Sequence, residues 1–152
     1  MTLKICELVS LVPAVLVAGM FFGPWVALTR SMRAFSPEMF LAVVDRLNRN
    51  MALVMTVLMP VALLAIVPVL ALSYGAQRGT FYLALAAFAL FVVALLVTVI
   101  VEVPIVQQIG TWTIATLPAN WQQLRDRWGA FHLVRIASGL GGLFLLLLAL
   151  IF

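Results

Sequence analysis

The chain is short of the residues that most enzymes and soluble domains rely on. Cysteine occurs once in 152 residues, at Cys6. A single thiol excludes an internal disulfide and any cysteine-built metal cluster. Inside an apolar run such a cysteine packs as a small hydrophobe. Histidine also occurs once, at His132, so no ordinary His/Cys zinc site can be assembled. Charge is scarce. Only 9% of residues are Asp, Glu, Lys or Arg, against about 25% in a soluble domain. There is no Walker loop, dinucleotide fingerprint, nucleophile elbow or helical His-Glu-x-x-His. Nine basic residues outnumber five acidic ones, but they form no basic patch with interleaved aromatics, so nucleic acid is not an expected partner.

What the chain has in excess is apolar surface, at 66% hydrophobic residues. A soluble fold would have to expose more of it than water tolerates. The expected outer solvent is therefore lipid. Four runs reach the roughly 20 residues that a membrane-crossing helix needs: about 5–29, 51–73, 80–107 and 131–152. The prediction is an all-α integral membrane four-helix bundle, one domain over 1–152. A signal peptide would have an apolar core of about 7–15 residues. Here the first run extends from Ile5 to Leu28, interrupted by Glu7, Ser10 and a few Gly and Pro, and reads as a retained span.

The connections differ in character. Ser36-Pro37 reads as an N-cap followed by proline at the first helical position. Met39, Phe40, Val43, Val44 and Leu47 then recur at helical spacing, which predicts an amphipathic extension running into the second span. Tyr74 to Gly79 is a short turn between antiparallel neighbours. Leu117-Pro118-Ala-Asn120 predicts a break, after which 119–152 reads as one long helix with a polar, aromatic start. Prolines 13, 24, 60, 68 and 104 lie inside spans and predict kinks, which membrane helices tolerate. Gly139, Gly141 and Gly142 offer a close-approach face, either within one bundle or between copies, so a homo-oligomer stays open.

Basic residues set the expected orientation. Arg30, Arg33, Arg46 and Arg49 lie in the first connection, and Arg125, Arg127 and Arg135 in or near the third. Lys4 and Arg78 lie at the other end. The positive-inside rule puts the first and third connections in the cytoplasm and both termini outside. A multi-pass protein of a bacterial inner membrane is expected.

Three features can carry chemistry. Glu102 follows fourteen Leu, Ile, Val or Phe residues between Phe81 and Val101. An acid at mid-membrane costs about 2.5–3.5 kcal/mol. Those apolar residues offset roughly 4–8 kcal/mol, so the helix still inserts. Glu102 then either pairs with an arginine or handles a proton. Pro104, two residues on, should distort the helix there. Trp128, His132 and Arg135 are spaced i, i+4, i+7 and share one helix face, with Arg125 one turn earlier. His132 can act as acid or base, sit as a structural residue, or serve as the one axial ligand of a haem. Asp45-Arg46-Leu-Asn48-Arg49 stands at the entrance to the second span, where Asp45 and Arg49 are i, i+4 partners. Antiparallel packing brings these three features to one membrane face. Glu102, His132, Arg135 and Arg49 are then the candidate catalytic set, beside Asn48, Arg125, Trp112, Trp121 and Trp128 as pocket residues. The tryptophans could alternatively form an interfacial belt.

Gly19-Met-Phe-Phe-Gly23, Leu47-Asn48-Arg49 and Glu102-Val-Pro104-Ile105 followed by Trp121, Arg125, Trp128, His132 and Arg135 together resemble the anthrone-oxygenase-like family of small four-helix membrane proteins. They span nearly the whole chain in order. The resemblance implies a four-helix membrane fold and, in some members, oxidation of anthrones to anthraquinones with dioxygen. One departure is Val106, where the family often has Asn.

Three functions follow. The first is an oxygenase acting without a cofactor on a hydrophobic aromatic or quinone-like substrate, with Glu102 or His132 as base and Arg49 and Arg135 stabilising an oxyanion. The second is a haem protein with His132 as axial ligand and arginines on the propionates. The third is a non-catalytic membrane subunit whose polar cluster is an internal lock.

Overall fold

A computed structural model describes all 152 residues and contains no strand. Four helical rods are long and apolar enough to cross a membrane. The first is α1, Thr2–Ala27, followed by a 3-10 turn over Thr29–Ala34. The second is α2, Pro37–Ser73. The third is built from α3, Arg78–Val97, a π turn over Thr98–Glu102, and α4, Val103–Ile109. The fourth is α5, Trp121–Ile151. Neighbours in sequence run antiparallel, and α5 closes the bundle against α1 and α3.

Local chemistry explains the ends. Ser36 Oγ accepts from the Met39 backbone N–H at 3.3 Å, with Pro37 in the first turn, so α2 starts where an N-cap and a proline place it. The amphipathic extension and the second span form one unbroken helix of 37 residues. At 1.5 Å per residue it is about 55 Å long, well beyond a hydrocarbon core of about 30 Å. Its first third must therefore project from the membrane. The turn between α2 and α3 uses Gly75 at φ +74°, a conformation that favours glycine. Prolines 13, 24, 60 and 68 lie inside continuous helices. Only Pro104 accompanies a change of helix type.

The interior divides into two hydrophobic clusters. The larger joins Leu11, Val17 and Phe21 of α1, Met59 and Ile66 of α2, Ala87 and Phe91 of α3, and Ile136 and Leu146 of α5. The smaller joins Met32, Phe40, Val44, Ile105, Ile109, Trp121 and Trp128 near the first and third connections. Along each rod, the residues between the clusters are those of a polar layer: Thr29, Asn48, Glu102, His132 and Arg135. A buried acid also sits at the opposite end, where Lys4 Nζ lies 3.2 Å from buried Glu7 and donates to the Leu150 carbonyl at 2.9 Å. That contact ties the start of α1 to the end of α5.

The glycines of α5 are used inside the bundle. A Cβ on Gly139 would lie 2.9 Å from the Phe21 ring, and one on Gly142 would lie 2.9 Å from the Phe91 ring. The first brings α1 close and the second brings α3 close, as small residues do between membrane helices.

Depth is where the sequence expectation needs correcting. Apart from Met39 in the first turn of α2, exposed large apolar residues begin at Leu53 on α2 and Leu133 on α5, and end at Val26 on α1 and Val103 on α4. Beyond them, Arg30, Arg46, Asn48, Arg49, Gln107, Gln122 and Arg127 are exposed. The span from His132 to Ile151 is about 28 Å at helical rise, close to one hydrocarbon thickness. Glu102 and His132 therefore lie at the edge of the lipid-facing belt rather than at mid-membrane.

Candidate functional site

Glu102, His132 and Arg135 meet at this edge. Glu102 closes the π turn, and α5 supplies the other two from one face. The Arg135 guanidinium bonds to Glu102 Oε2. His132 Nδ1 stands 3.4 Å from Glu102 Oε1. Only 4% of Glu102, 4% of His132 and 8% of Arg135 is exposed, so one carboxylate faces one imidazole and one guanidinium out of bulk water. Such a pair is strongly coupled at low dielectric. The π turn contributes directly. The Val103 N–H bonds back to the Thr98 carbonyl, five residues away, and Pro104 has no N–H to offer to the α pattern. π turns of this kind are frequent at functional sites.

Aromatic rings frame the cluster. The Trp128 indole stacks on the His132 ring with centroids 5.5 Å apart and planes 15° from parallel. The Arg135 guanidinium lies 4.2 Å over the Phe21 ring, within the range of a cation–π contact. His132 is thus braced from the smaller hydrophobic cluster and Arg135 from the larger one.

A cavity of about 340 Å³ opens against the cluster. Glu102, His132, Arg135 and Trp128 line one side. Asn48, Met51, Met55, Thr56 and Met59 of α2 line the other. Glu102 Oε1, both His132 ring nitrogens, Trp128 Nε1 and Arg135 Nε have no hydrogen-bond partner in the protein. Buried polar atoms are nearly always paired. Five unpaired ones in four residues around one apolar cavity make it the candidate site for a ligand with a few polar atoms.

Of the candidate catalytic and pocket residues named from the sequence, five line this cavity: Glu102, His132, Arg135, Trp128 and Asn48. Arg49 does not. It is exposed and donates to Asp45 at 2.9 Å, one residue and about 100° around the helix from Asn48. Trp121 packs on Phe40 at 5.2 Å in the smaller cluster. Arg125 lies 5.2 Å over the Trp121 ring and donates to Asp126 at 2.9 Å. Trp112 lines a separate surface cleft with Gln108, Asn120 and Arg127. These three shape the head of the bundle, not the cavity. The sequence reading missed the α2 methionines, which look like any other apolar residue in so greasy a chain. It also missed Pro24 and Thr29, which close the α1 side. Val106, the departure noted above, is a lining residue, so this part of the wall is apolar.

Residues 48–145 match the family model described as Anthrone oxygenase. The chain belongs to the anthrone oxygenase family. No curated protein and no solved structure matches it. The matched stretch holds Asn48, the π turn, Glu102, Trp128, His132 and Arg135. Within this family member, α1 and the 3-10 turn after it lie outside the match and contribute Pro24 and Thr29 to the cavity and Phe21 to the support of Arg135.

No group of three His, Cys, Asp or Glu side chains stands together to hold a metal ion. His132 Nε2 has no protein partner and could ligate a haem iron. Of the arginines named above, Arg125 is engaged by Asp126, Arg49 by Asp45, and Arg135 by Glu102.

Proposed function

We propose that this membrane protein oxidises a hydrophobic aromatic substrate of the anthrone type with dioxygen, without a bound cofactor, in the cavity between α2 and α5. The observation that carries the reading is the Glu102–His132–Arg135 cluster with unpaired polar atoms turned to an apolar cavity. His132 is the base. Glu102 already spends its charge on Arg135, whereas His132 Nε2 has no protein partner. With Nδ1 protonated toward Glu102, Nε2 accepts the proton, and the carboxylate offsets the positive charge that the ring gains.

The substrate is a methylene flanked by aromatic rings and conjugated to a carbonyl. Loss of one C–H proton to His132 gives an enolate. Arg135 faces the developing oxyanion with its remaining N–H groups. One electron then passes to dioxygen, and the carbon and superoxide radicals combine. Return of the proton gives a hydroperoxide. Loss of the second C–H proton with O–O cleavage leaves a ketone and water. The balance is CH2 + O2 → C=O + H2O. An apolar pocket suits both the ring system and dioxygen.

The burial of two arginines also bears on the orientation we propose. Arg125 and Arg135 are buried, so they do not count toward topology. Exposed Arg30, Arg33, Arg46, Arg49 and Arg127 still outnumber Lys4 and Arg78. We place the head in the cytoplasm of a bacterial inner membrane, with both termini outside.

The test is oxygen uptake by purified protein in mild detergent with anthrone as substrate. Uptake above the spontaneous rate should fall about 10²–10⁴-fold in His132→Ala, the range of general acid–base catalysis. An uptake rate no higher than that of empty micelles, or one unaltered in both His132→Ala and Glu102→Gln, rules this function out.

A further inference from the structure

Some lining residues of the cavity are also exposed on the outside of the bundle. They are Asn48, Ala52, Thr56 and Pro60 on α2, and Val99 and Val103 on the π turn and α4. Residues that face both ways form a mouth. It lies between α2 and the third rod, which pack more loosely than the other neighbouring pairs. The seams along α5 are shut by Gly139 against Phe21 and Gly142 against Phe91. The π turn forms one side of the mouth, since its extra residue per turn makes the backbone bulge where Val99 sits.

The surroundings of the mouth decide what reaches it. Leu53 and Val57 flank Ala52 and Thr56, and Leu96 and Ile100 flank Val99. All four are large, apolar and exposed, so they face acyl chains. Asn48 alone lies beyond this belt, at the water-facing end. A molecule arriving from water would have to pass Asn48 at that end. One dissolved in the membrane meets an aperture bordered by an alanine, a threonine and two valines.

We propose that the site is loaded sideways from the lipid: an uncharged, flat, membrane-dissolved molecule enters between α2 and the π turn through the gap bounded by Ala52, Thr56, Val99 and Val103. Ala52 and Val99 then limit the width of what enters. The route stands on the geometry of the mouth, and the identity of the occupant rests on the function proposed above.

The experiment uses the full chain in liposomes with Cys6→Ser as background. Ala52→Cys and Thr56→Cys probe the mouth, and Leu53→Cys probes the lipid-facing surface. Each is labelled with pyrenyl maleimide dissolved in the bilayer and, separately, with a sulfonated thiol reagent on both sides of the membrane. The mouth cysteines should react with the pyrene reagent about a hundredfold faster than with the sulfonate, because a charged reagent is excluded from hydrocarbon. Anthraquinone preloaded in the bilayer should slow labelling at Ala52→Cys and leave Leu53→Cys unchanged. Fast reaction of both mouth cysteines with the sulfonate shows a water entrance and overturns the route. So does pyrene labelling confined to Leu53→Cys. Preferential pyrene labelling without anthraquinone protection keeps the route and removes the aromatic occupant.

Discussion

Glu102 Oε1 and His132 Nδ1 stand 3.4 Å apart across the seam between the third and fourth rods. The other carboxylate oxygen is held by Arg135. One negative charge thus serves two groups, and removing it harms both. Glu102→Gln keeps the volume but leaves a buried guanidinium without a counter-charge. Breaking a buried pair from one side costs about 3–5 kcal/mol. The double variant Glu102→Gln/Arg135→Gln removes the stranded charge as well, so its loss of stability should be smaller than the sum of the two single losses. Unfolding midpoints of the four proteins in one detergent measure this. Strict additivity would show that the two residues do not interact.

The α5 glycines make a second prediction. Gly139→Ala puts a methyl group 2.9 Å from a fully buried Phe21 ring that has the Arg135 guanidinium on it. Gly142→Ala puts one 2.9 Å from Phe91, with the Ala87 carbonyl at 3.3 Å. Overpacking of this kind costs about 1–3 kcal/mol. Gly19→Ala meets nothing within 4 Å and should raise stability by up to about 1 kcal/mol through helix propensity. Thermal midpoints check the order. A Gly139→Ala protein as stable as the parent would mean that Phe21 has room to move.

Features set by short stretches of chain were legible in the sequence. Ser36-Pro37 marks the start of α2, Pro118 the break before α5, and the i, i+4, i+7 spacing the shared face of Trp128, His132 and Arg135. Hydropathy marks all four spans. What escaped depends on neighbours that no local window contains. Asn48 and Arg49 are adjacent, yet one lines the cavity and the other bonds to Asp45, because a single step turns the side chain about 100°. The depth of Glu102 depends on where exposed apolar surface ends on four separate rods. Met51, Met55 and Met59 become lining only because Leu95, Thr98 and Val99 of the third rod share the cavity with them. Pro104 signalled a distortion, but not that it would take the form of a π turn ending on the acid.

Two arginines considered for the same role in the sequence should now separate. Arg49 is largely exposed and paired with exposed Asp45, and such pairs contribute at most about 1 kcal/mol. Arg49→Ala should leave both stability and oxygen uptake near those of the parent. Arg135→Lys should lose uptake, because an ammonium cannot hold Glu102 and face an oxyanion with a rigid fork of donors. An oxygen electrode distinguishes the two. Loss of uptake in Arg49→Ala would mean that Arg49 leaves Asp45 and turns into the cavity during turnover.

The last prediction concerns colour. Protein purified from cells supplied with iron and haem precursor should show no strong visible absorption band. A haem on His132 would compete for guanidiniums that already have a carboxylate: Arg125 has Asp126, Arg49 has Asp45, and Arg135 has Glu102. Freeing Arg135 for a propionate would strand Glu102 beside His132 in an apolar wall, where an unpaired charge is costly. The opposite outcome is equally definite. A haem band in the parent that His132→Ala removes would make His132 Nε2 a ligand rather than a base. The proton transfer assigned to it would then have no acceptor, and the cofactor-free reaction would have to be abandoned.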